Sequence, residues 1–109
     1  MMQRVQILLT PTVGFATPTI EECGQSWLDI DGKKISPQDP RGGADSFTTI
    51  PFNVTGFPAL SVPCGFNRAN TPVGLQIAAA PFQEEVLFAV AHAYEQATDW
   101  HMKRPKLDG

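Results

Sequence analysis

The chain has 109 residues, 42% of them hydrophobic, and a formal net charge of −3 at pH 7. A chain of this length has the size of one small domain and buries roughly two-thirds of the surface of its unfolded form. The acidic balance argues against nucleic acid or an anionic membrane as a partner. The sequence has no apolar run long enough for a transmembrane helix, and residues 1–9 are too short and too interrupted by polar residues for a signal peptide. The 10 prolines and 9 glycines predict short elements joined by many turns.

Residues 5–9 predict the first β-strand. Their apolar side chains fall on both sides of the strand, which indicates burial on both faces, as in a parallel sheet. A strand of that kind needs neighbours and covering layers, so we interpret the chain as part of something longer. The next stretch, 10–45, is largely irregular apart from one hairpin, and long irregular connections indicate a function or dependence on a larger body.

Residues 27–36 predict that small hairpin. Asp31-Gly32 suits the positive φ angles of a two-residue type I′ turn. The resulting register pairs Leu28 with Ile35 and Asp29 with Lys34. Asp29 and Asp31 could also suggest a cation site, but turn chemistry and surface solvation explain them better.

A short helix is predicted at about 46–55. Ser46 or Thr48 can cap its first turn, and Gly56 is a natural left-handed stop. Three apolar residues share one face, which we expect to bury against the strands: Phe47, Ile50 and Val54.

Two strands are predicted next, at about 59–63 and 73–79. Both are short apolar runs fenced by Gly and Pro. The connection between them is short enough for an antiparallel hairpin. Pro63 is unusual within a central strand, so the first strand either ends there or lies at an edge.

The last predicted element is an amphipathic helix at about 83–98. Glu84 and Glu85 in its first turn suit the helix dipole. Its apolar stripe comprises Val86, Val90, Ala93 and Ala97, with Leu87, Ala91 and Tyr94 beside it. The tail that follows is basic and is able to touch phosphates, although such charges more often lie in solvent and offset the dipole.

The sequence contains few side-chain patterns that are typical of catalytic or metal-binding sites. His92 precedes Glu95 by three positions on the polar side of the last helix, and a single pair of this kind favours a solvated histidine over a metal ligand. Ser61 lies in a buried-looking strand without a Gly-x-Ser-x-Gly elbow. A triad of Ser61, His92 and an Asp stays open as an alternative, because triads assemble in space. We expect no metal site and no cofactor.

The two cysteines, Cys23 and Cys64, are far apart and lack a Cys-x-x-Cys spacing. They predict free thiols in a cytoplasmic protein, in preference to a disulfide or a zinc site. Cys64 could be a nucleophile, but no activating base or helix N-terminus adjoins it in the sequence. A structural thiol is the better interpretation.

Three runs of sequence stand out by their order and spacing. They read FNVTGFPALSVPCGF at 52–66, PVGLQI at 72–77 and AHAYEQATDW at 91–100. Together they resemble the C-terminal end of an amidase-signature enzyme. The run LTPT at 9–12 and the Asp-Gly hairpin fit the segment that precedes this end, so the resemblance covers nearly the whole chain.

The resemblance implies an α/β class, with this chain as part of an α/β/α fold that has a large mixed sheet. Enzymes of the family hydrolyse carboxamides, or pass the acyl group or ammonia on, through a Ser–Ser–Lys triad. The nucleophilic Ser forms an acyl-enzyme, and backbone N–H groups stabilise the oxyanion. The family includes general amidases and the subunit that releases ammonia from glutamine for transamidation of misacylated tRNA.

No catalytic residue of the family can be carried over to this chain. The Gly/Ser-rich signature with its two Ser residues is not found in the sequence, and Lys33 and Lys34 at the predicted turn do not match the catalytic Lys. The resemblance implies that the chain supplies sheet strands, the closing helix and a wall of the acyl pocket. The residues expected on that wall are Phe47, Thr48, Phe52 and Asn53. Gln83 stands where family helices often begin with Asp, and Gln is a poorer cap.

Two hypotheses follow. In the first, the chain is the C-terminal part of an amidase, inert alone, with the missing N-terminal portion as its partner and a small carboxamide as substrate of the full enzyme. In the second, it is a stand-alone structural module that pairs with itself through exposed strand edges. We favour the first for origin and expect self-association in either case. Both describe one cytoplasmic segment, 1–109, with a compact α-β-β-α unit at 46–109 and no membrane or direct nucleic-acid contact.

Overall fold

The computed structural model describes residues 4–14, 20–23, 28–30, 32–35 and 48–107. The strands are β1 (Ile7–Pro11), β2 (Leu28–Ile30), β3 (Lys33–Ile35), β4 (Ala59–Phe66) and β5 (Pro72–Ala79). The helices are α1 (Ile20–Cys23), α2 (Ile50–Thr55) and α3 (Glu84–Ala97), and a 3₁₀ turn follows at Trp100–Met102. The chain therefore combines helices and strands, as the α/β class predicts. The short helix α1 lies in a stretch for which no helix was predicted.

A three-stranded sheet has β5 in the middle and β1 and β4 on either side. The prediction that β1 is buried on both faces in a parallel sheet is wrong. β1 pairs antiparallel with β5, and Leu9 is 56% exposed. All strand pairs among the described residues are antiparallel. Within the described sheet β1 has a neighbour on one side only, so its apolar side chains find less cover than those of a central strand.

The hairpin of β4 and β5 is antiparallel, as predicted, with Leu60 opposite Ile77. β4 does not end at Pro63 but continues to Phe66, with a shift of register between Pro63 and Gly65. Pro63 is tolerated because β4 is an edge strand of the described sheet, where a missing N–H breaks no ladder bond. The second of the two predicted possibilities for this proline is therefore confirmed.

The core lies between one face of the sheet and α3. Its buried residues are Val62, Ile77, Ala79, Leu87 and Ala91, and the partly buried residues around them are Ile7, Leu60, Leu75, Val90 and Tyr94. The predicted helix is confirmed, since α3 spans all but the end residues of 83–98. Its buried stripe is displaced from the predicted one, because Leu87 and Ala91 lie at its centre whereas Ala93 and Ala97 are exposed.

α2 begins later than predicted and buries less. Its N-cap position is Thr49, which makes no side-chain cap hydrogen bond. The predicted burial of its apolar face is wrong for Ile50 and Val54, which are 47% and 79% exposed. Gly56 ends the helix with a φ of +69°, as predicted. Of the two predicted caps, Thr48 directs its hydroxyl elsewhere, and Ser46 lies outside the described residues.

The small hairpin of β2 and β3 has the predicted register, with Leu28 opposite Ile35 and Asp29 opposite Lys34. Gly32 has the positive φ, +79°, that its turn requires. Asp31 and residues 27 and 36 lie outside the described residues. Among the helices that the structure describes, none has the length and apolar character needed to cross a membrane.

Candidate functional site

The sheet face opposite α3 carries hydrogen-bonded polar side chains. Gln76 on β5 is the register partner of both Thr10 on β1 and Ser61 on β4. Successive strand residues point to opposite faces, and the next residue, Ile77, belongs to the core under α3. The three polar residues therefore share the other face. We call the following set the hydroxyl–amide cluster: Thr10, Thr12, Thr48, Ser61 and Gln76.

Gln76 is the buried centre of this cluster and is only 4% exposed. Its Nε2 donates to Oγ1 of Thr10 at 2.8 Å and to the carbonyl oxygen of Thr48 at 2.7 Å. A buried amide is costly unless its donors are paired, so both contacts are needed. Gln76 thereby links β1 and the segment before α2 to the central strand.

Thr48 is held at a second point. Its hydroxyl donates to the carbonyl oxygen of Thr12 at 2.6 Å. The hydroxyls of Thr12 and Ser61 share a hydrogen bond of 2.5 Å in which either can donate. Because Thr48 is bound through both its carbonyl and its hydroxyl, the start of α2 is fixed relative to the sheet.

Gly74 makes room for this arrangement. A Cβ at position 74 would lie 2.7 Å from Oγ1 of Thr12 and 2.8 Å from Oγ of Ser61. The backbone also takes part, since the N–H of Thr12 donates to the carbonyl of Gly74 at 3.0 Å. Close approach of the two hydroxyls over the central strand therefore depends on a residue without a side chain.

Of the four residues predicted on the pocket wall, Thr48 belongs to the cluster. Phe52 and Asn53 follow on α2, where the backbone N–H groups of both donate to the carbonyl of Thr49, at 3.2 and 3.3 Å. Phe52 is half-buried and Asn53 is exposed. Phe47 lies outside the described residues. Their role as a pocket wall stays a prediction. Thr48 is bound by the cluster, and Phe52 and Asn53 follow it on α2.

The cluster supplies position and hydrogen bonds, not acid–base catalysis. Hydroxyl and amide side chains do not titrate near neutral pH, so the cluster by itself holds no general base. Its donors and acceptors are largely used on one another. This chemistry fits a rigid support beside a site better than a reacting centre.

The other candidates do not form a centre. Ser61 is exposed, not buried as predicted, and its hydroxyl is bound to Thr12. His92 lies exposed on α3, which packs on the opposite sheet face, so the sheet separates it from Ser61. Cys64 is a half-buried free thiol, as predicted; the side chain of Cys23 is not described. Among the described residues, no group of three or more His, Cys, Asp or Glu side chains could hold a metal ion.

Sequence reasoning missed Thr10, Thr12 and Gln76. A signal was available for the first two, because residues i and i+2 of a strand share a face and Thr at both positions makes that face polar. Gln76 interrupts an apolar strand, and a buried polar residue among apolar ones is the informative exception. Its partners could not be read from the sequence, because Thr10 and Thr48 are 66 and 28 positions away.

Comparisons with known proteins agree with this architecture. Residues 1–88 match the model of the Amidase family. Over 105 residues the chain is 52% identical to a Glutamyl-tRNA(Gln) amidotransferase subunit of Gloeothece citriformis and 40% identical to the same subunit of Microcystis aeruginosa. Each match covers 96% of this chain but 19% of the relative. The solved structure of 6-aminohexanoate cyclic dimer hydrolase matches 93% of this chain and 21% of that chain, with 34% identity and a TM-score of 0.66.

These matches define the class of protein as an α/β segment of the amidase fold. The chain belongs to the amidase family. It spans about a fifth of the length of the relatives that it matches.

Proposed function

We propose that this chain is the C-terminal portion of an amidase-type hydrolase that acts on carboxamide bonds. The supporting observation is the match to 6-aminohexanoate cyclic dimer hydrolase, in which nearly all of this chain corresponds to about a fifth of the enzyme. A cyclic dimer of an amino acid is joined by carboxamide bonds, and the amidotransferase relatives are named for an amide-forming transfer. Carboxamides are therefore the shared substrate class.

In this proposal the chain supports the acyl pocket and contributes no reacting group. Thr48, Phe52 and Asn53 form part of the wall. Gln76 and Thr12 hold this segment at Thr48. Rigid support matters because a displacement of about 1 Å near a reacting centre can cost two orders of magnitude in rate. The Ser–Ser–Lys triad comes from the rest of the enzyme, so the chain alone is inactive.

The partner of the chain in this proposal is the remaining amidase portion. Several large apolar side chains that this portion would cover are exposed: Leu9, Val54, Phe82 and Phe88 are 56%, 79%, 89% and 67% exposed. In this proposal the remaining amidase portion covers these side chains, which accounts for their exposure. Phe82 also has a φ of +64°. A bulky residue in that conformation is strained and keeps it only where the surrounding structure holds it.

The test is reconstitution. The chain is produced alone and together with the upstream four-fifths of the Gloeothece citriformis relative, from which the matching segment has been removed. Release of ammonia from glutamine and ring opening of the 6-aminohexanoate cyclic dimer are then measured. We expect no turnover by either part and turnover by the mixture with one of the two amides.

Two variants sharpen the result. Gln76→Leu removes both hydrogen bonds of the amide at similar volume and should lower the restored turnover at least tenfold, because the wall segment loses its support. Glu95→Gln on the far side of the sheet serves as the control and should leave it unchanged. Turnover by the chain alone, abolished by changing one of its own side chains, would overturn the proposal.

A further inference from the structure

A groove lies where the end of the β4–β5 hairpin meets the tail after α3. Its volume is about 780 Å³, within the range typical of small-molecule sites. The hairpin contributes Phe66 and Pro72 to its wall, and the tail contributes residues from Trp100 to Lys106. It involves none of the residues assigned to the pocket wall.

The described lining of the groove is basic although the chain as a whole is acidic. Lys103, Arg104 and Lys106 all line it, together with His101, and no Asp or Glu is among its described lining residues. Three of the eight Lys and Arg residues of the chain are thus gathered at one site. Asp99 pairs with Lys103 at 2.5 Å and offsets only one of these charges. The local field therefore favours an anion.

The tail is shaped to keep these groups together. Nη1 of Arg104 donates to the carbonyl oxygens of His101 and Lys103, at 2.7 and 3.1 Å. These bonds tie Nη1 of Arg104 to the backbone of the tail and leave the N–H groups of Nε and Nη2 to donate to a phosphate.

One wall of the groove is aromatic. The rings of Trp100 and Phe66 meet edge to face, with centroids 6.1 Å apart and planes at 65°. A Cβ at Gly65 would lie 3.9 Å from the indole of Trp100, so the indole rests on the strand. Phe66 remains 44% exposed. A fixed aromatic wall beside several cations suits a ligand that has a planar ring and a phosphate.

We propose that this groove binds a nucleotide, with the base against Trp100 and Phe66 and the phosphate held by Arg104, Lys103 and Lys106. A free mononucleotide and the 5′ end of a single-stranded nucleic acid both present a base together with a phosphate. The net charge of −3 that argued against nucleic acid is an average over the chain, whereas binding responds to the local charge. The site is independent of the amidase role.

The experiment uses the fluorescence of Trp100 in the chain with Trp27→Phe, which leaves one indole. The probes are adenosine 5′-monophosphate, adenosine, inorganic phosphate and a 5′-phosphorylated RNA trinucleotide. We expect saturable quenching by the mononucleotide or the trinucleotide, and binding at least tenfold weaker for adenosine and for inorganic phosphate. Tighter binding of the trinucleotide assigns the site to a strand end, and equal binding assigns it to a free nucleotide.

Two charge variants test the location. Lys103→Gln with Lys106→Gln should weaken binding roughly tenfold, since two contacts to phosphate are lost. Arg4→Gln with Lys33→Gln removes the same charge from exposed positions elsewhere and should change binding less than twofold. Circular dichroism checks that both variants keep the fold of the parent chain. The proposal is overturned by equal weakening in the two variants, by the absence of saturable quenching, or by phosphate binding as tightly as the mononucleotide.

Discussion

Among the described glycines, Gly74 is the one at which an added side chain would make the closest contacts. The methyl group of Gly74→Ala would come within 3 Å of two hydroxyl oxygens and at 3.1 Å from Cβ of Thr12. The Thr12–Ser61 hydrogen bond must then break or the strands must shift. Overpacking of this kind typically costs about 1–3 kcal/mol. Urea denaturation should show a loss of stability of that size.

A double-mutant cycle gives the control for Gly74. Ser61→Ala removes one of the two crowded oxygens, so Gly74→Ala should cost less in that background than in the parent chain. Coupling between residues in contact is expected to exceed roughly 0.5 kcal/mol. If the losses of unfolding free energy from the two substitutions are strictly additive, contact with the Ser61 hydroxyl is not what makes a side chain at position 74 unfavourable.

The ion pair of Asp99 with Lys103 makes a prediction about pH. The hydrogen bond from Lys103 lowers the pKa of the Asp99 carboxyl below its ordinary value of 3.8. A lowered pKa in the folded state stabilises the protein above the unfolded pKa, and this contribution is lost as the pH falls through the folded value. The side chains are 66% and 47% exposed, so the effect is small and decreases with salt.

The measurement compares Asp99→Asn with the parent chain in urea denaturation at pH 7 and near pH 3. The variant should be slightly less stable at pH 7, and the difference should shrink at the lower pH. Lys103→Gln breaks the same pair from the other side and should follow the same pH dependence. A difference that grows on acidification would contradict this reading of the pair.

At the scale of single elements, α3 begins without a side-chain cap. Gln83 occupies the N-cap position and makes no side-chain hydrogen bond there. Gln83→Asp should stabilise the chain by about 0.5–1 kcal/mol, since Asp accepts from the free N–H groups of the first turn and suits the helix dipole. Gln83→Ala is the matched control and should be nearly neutral. An equal gain in both variants would mean that capping is not its source.

Elements with a local signal were predicted well from the sequence. α3 has helical periodicity over its whole length, and the Asp-Gly turn alone fixed the register of β2 with β3. The existence of β1 and α2 was predicted, but β1 lies at Ile7–Pro11 and not at 5–9, α2 begins at Ile50 and not at 46, and the burial of their apolar residues was wrong. The apolar pattern predicts which face of an element is buried. It does not identify the element that packs on that face, because that depends on the rest of the fold. Leu9 and Val54 are the clearest cases, since both are apolar and remain exposed.

The candidate site was less predictable than the elements, because it depends on contacts between distant parts of the chain. Thr48 was predicted through the family resemblance, but its two supports come from Thr12 and Gln76, which lie 36 and 28 positions away. No periodicity or turn rule encodes such a pairing. The register of β1 with β5 creates it, and the sequence pattern of β1 favoured a parallel arrangement instead.

At the scale of the whole molecule, the described core is small for its exposed apolar surface. Of its large hydrophobic side chains, Ile77 alone is less than 2% exposed, while Leu9, Val54 and Phe82 are more than half exposed. β1 and β4 are edges of the described sheet, and unprotected edges pair with other strands. On the basis of these features we expect the chain to take a partner, either the rest of an amidase or a second copy.

Without the rest of an amidase, we therefore expect the chain to associate with itself through β1. Sedimentation at increasing concentration should show a rising mass for the parent chain. Leu9→Lys places a charge on the exposed strand, where lysine opposes edge pairing, and should shift the chain towards the monomer. Leu107→Lys changes an 86% exposed residue in the tail and should leave the association unchanged. A parent chain that stays monomeric at every concentration, or equal effects of the two lysines, would show that β1 is not the pairing edge.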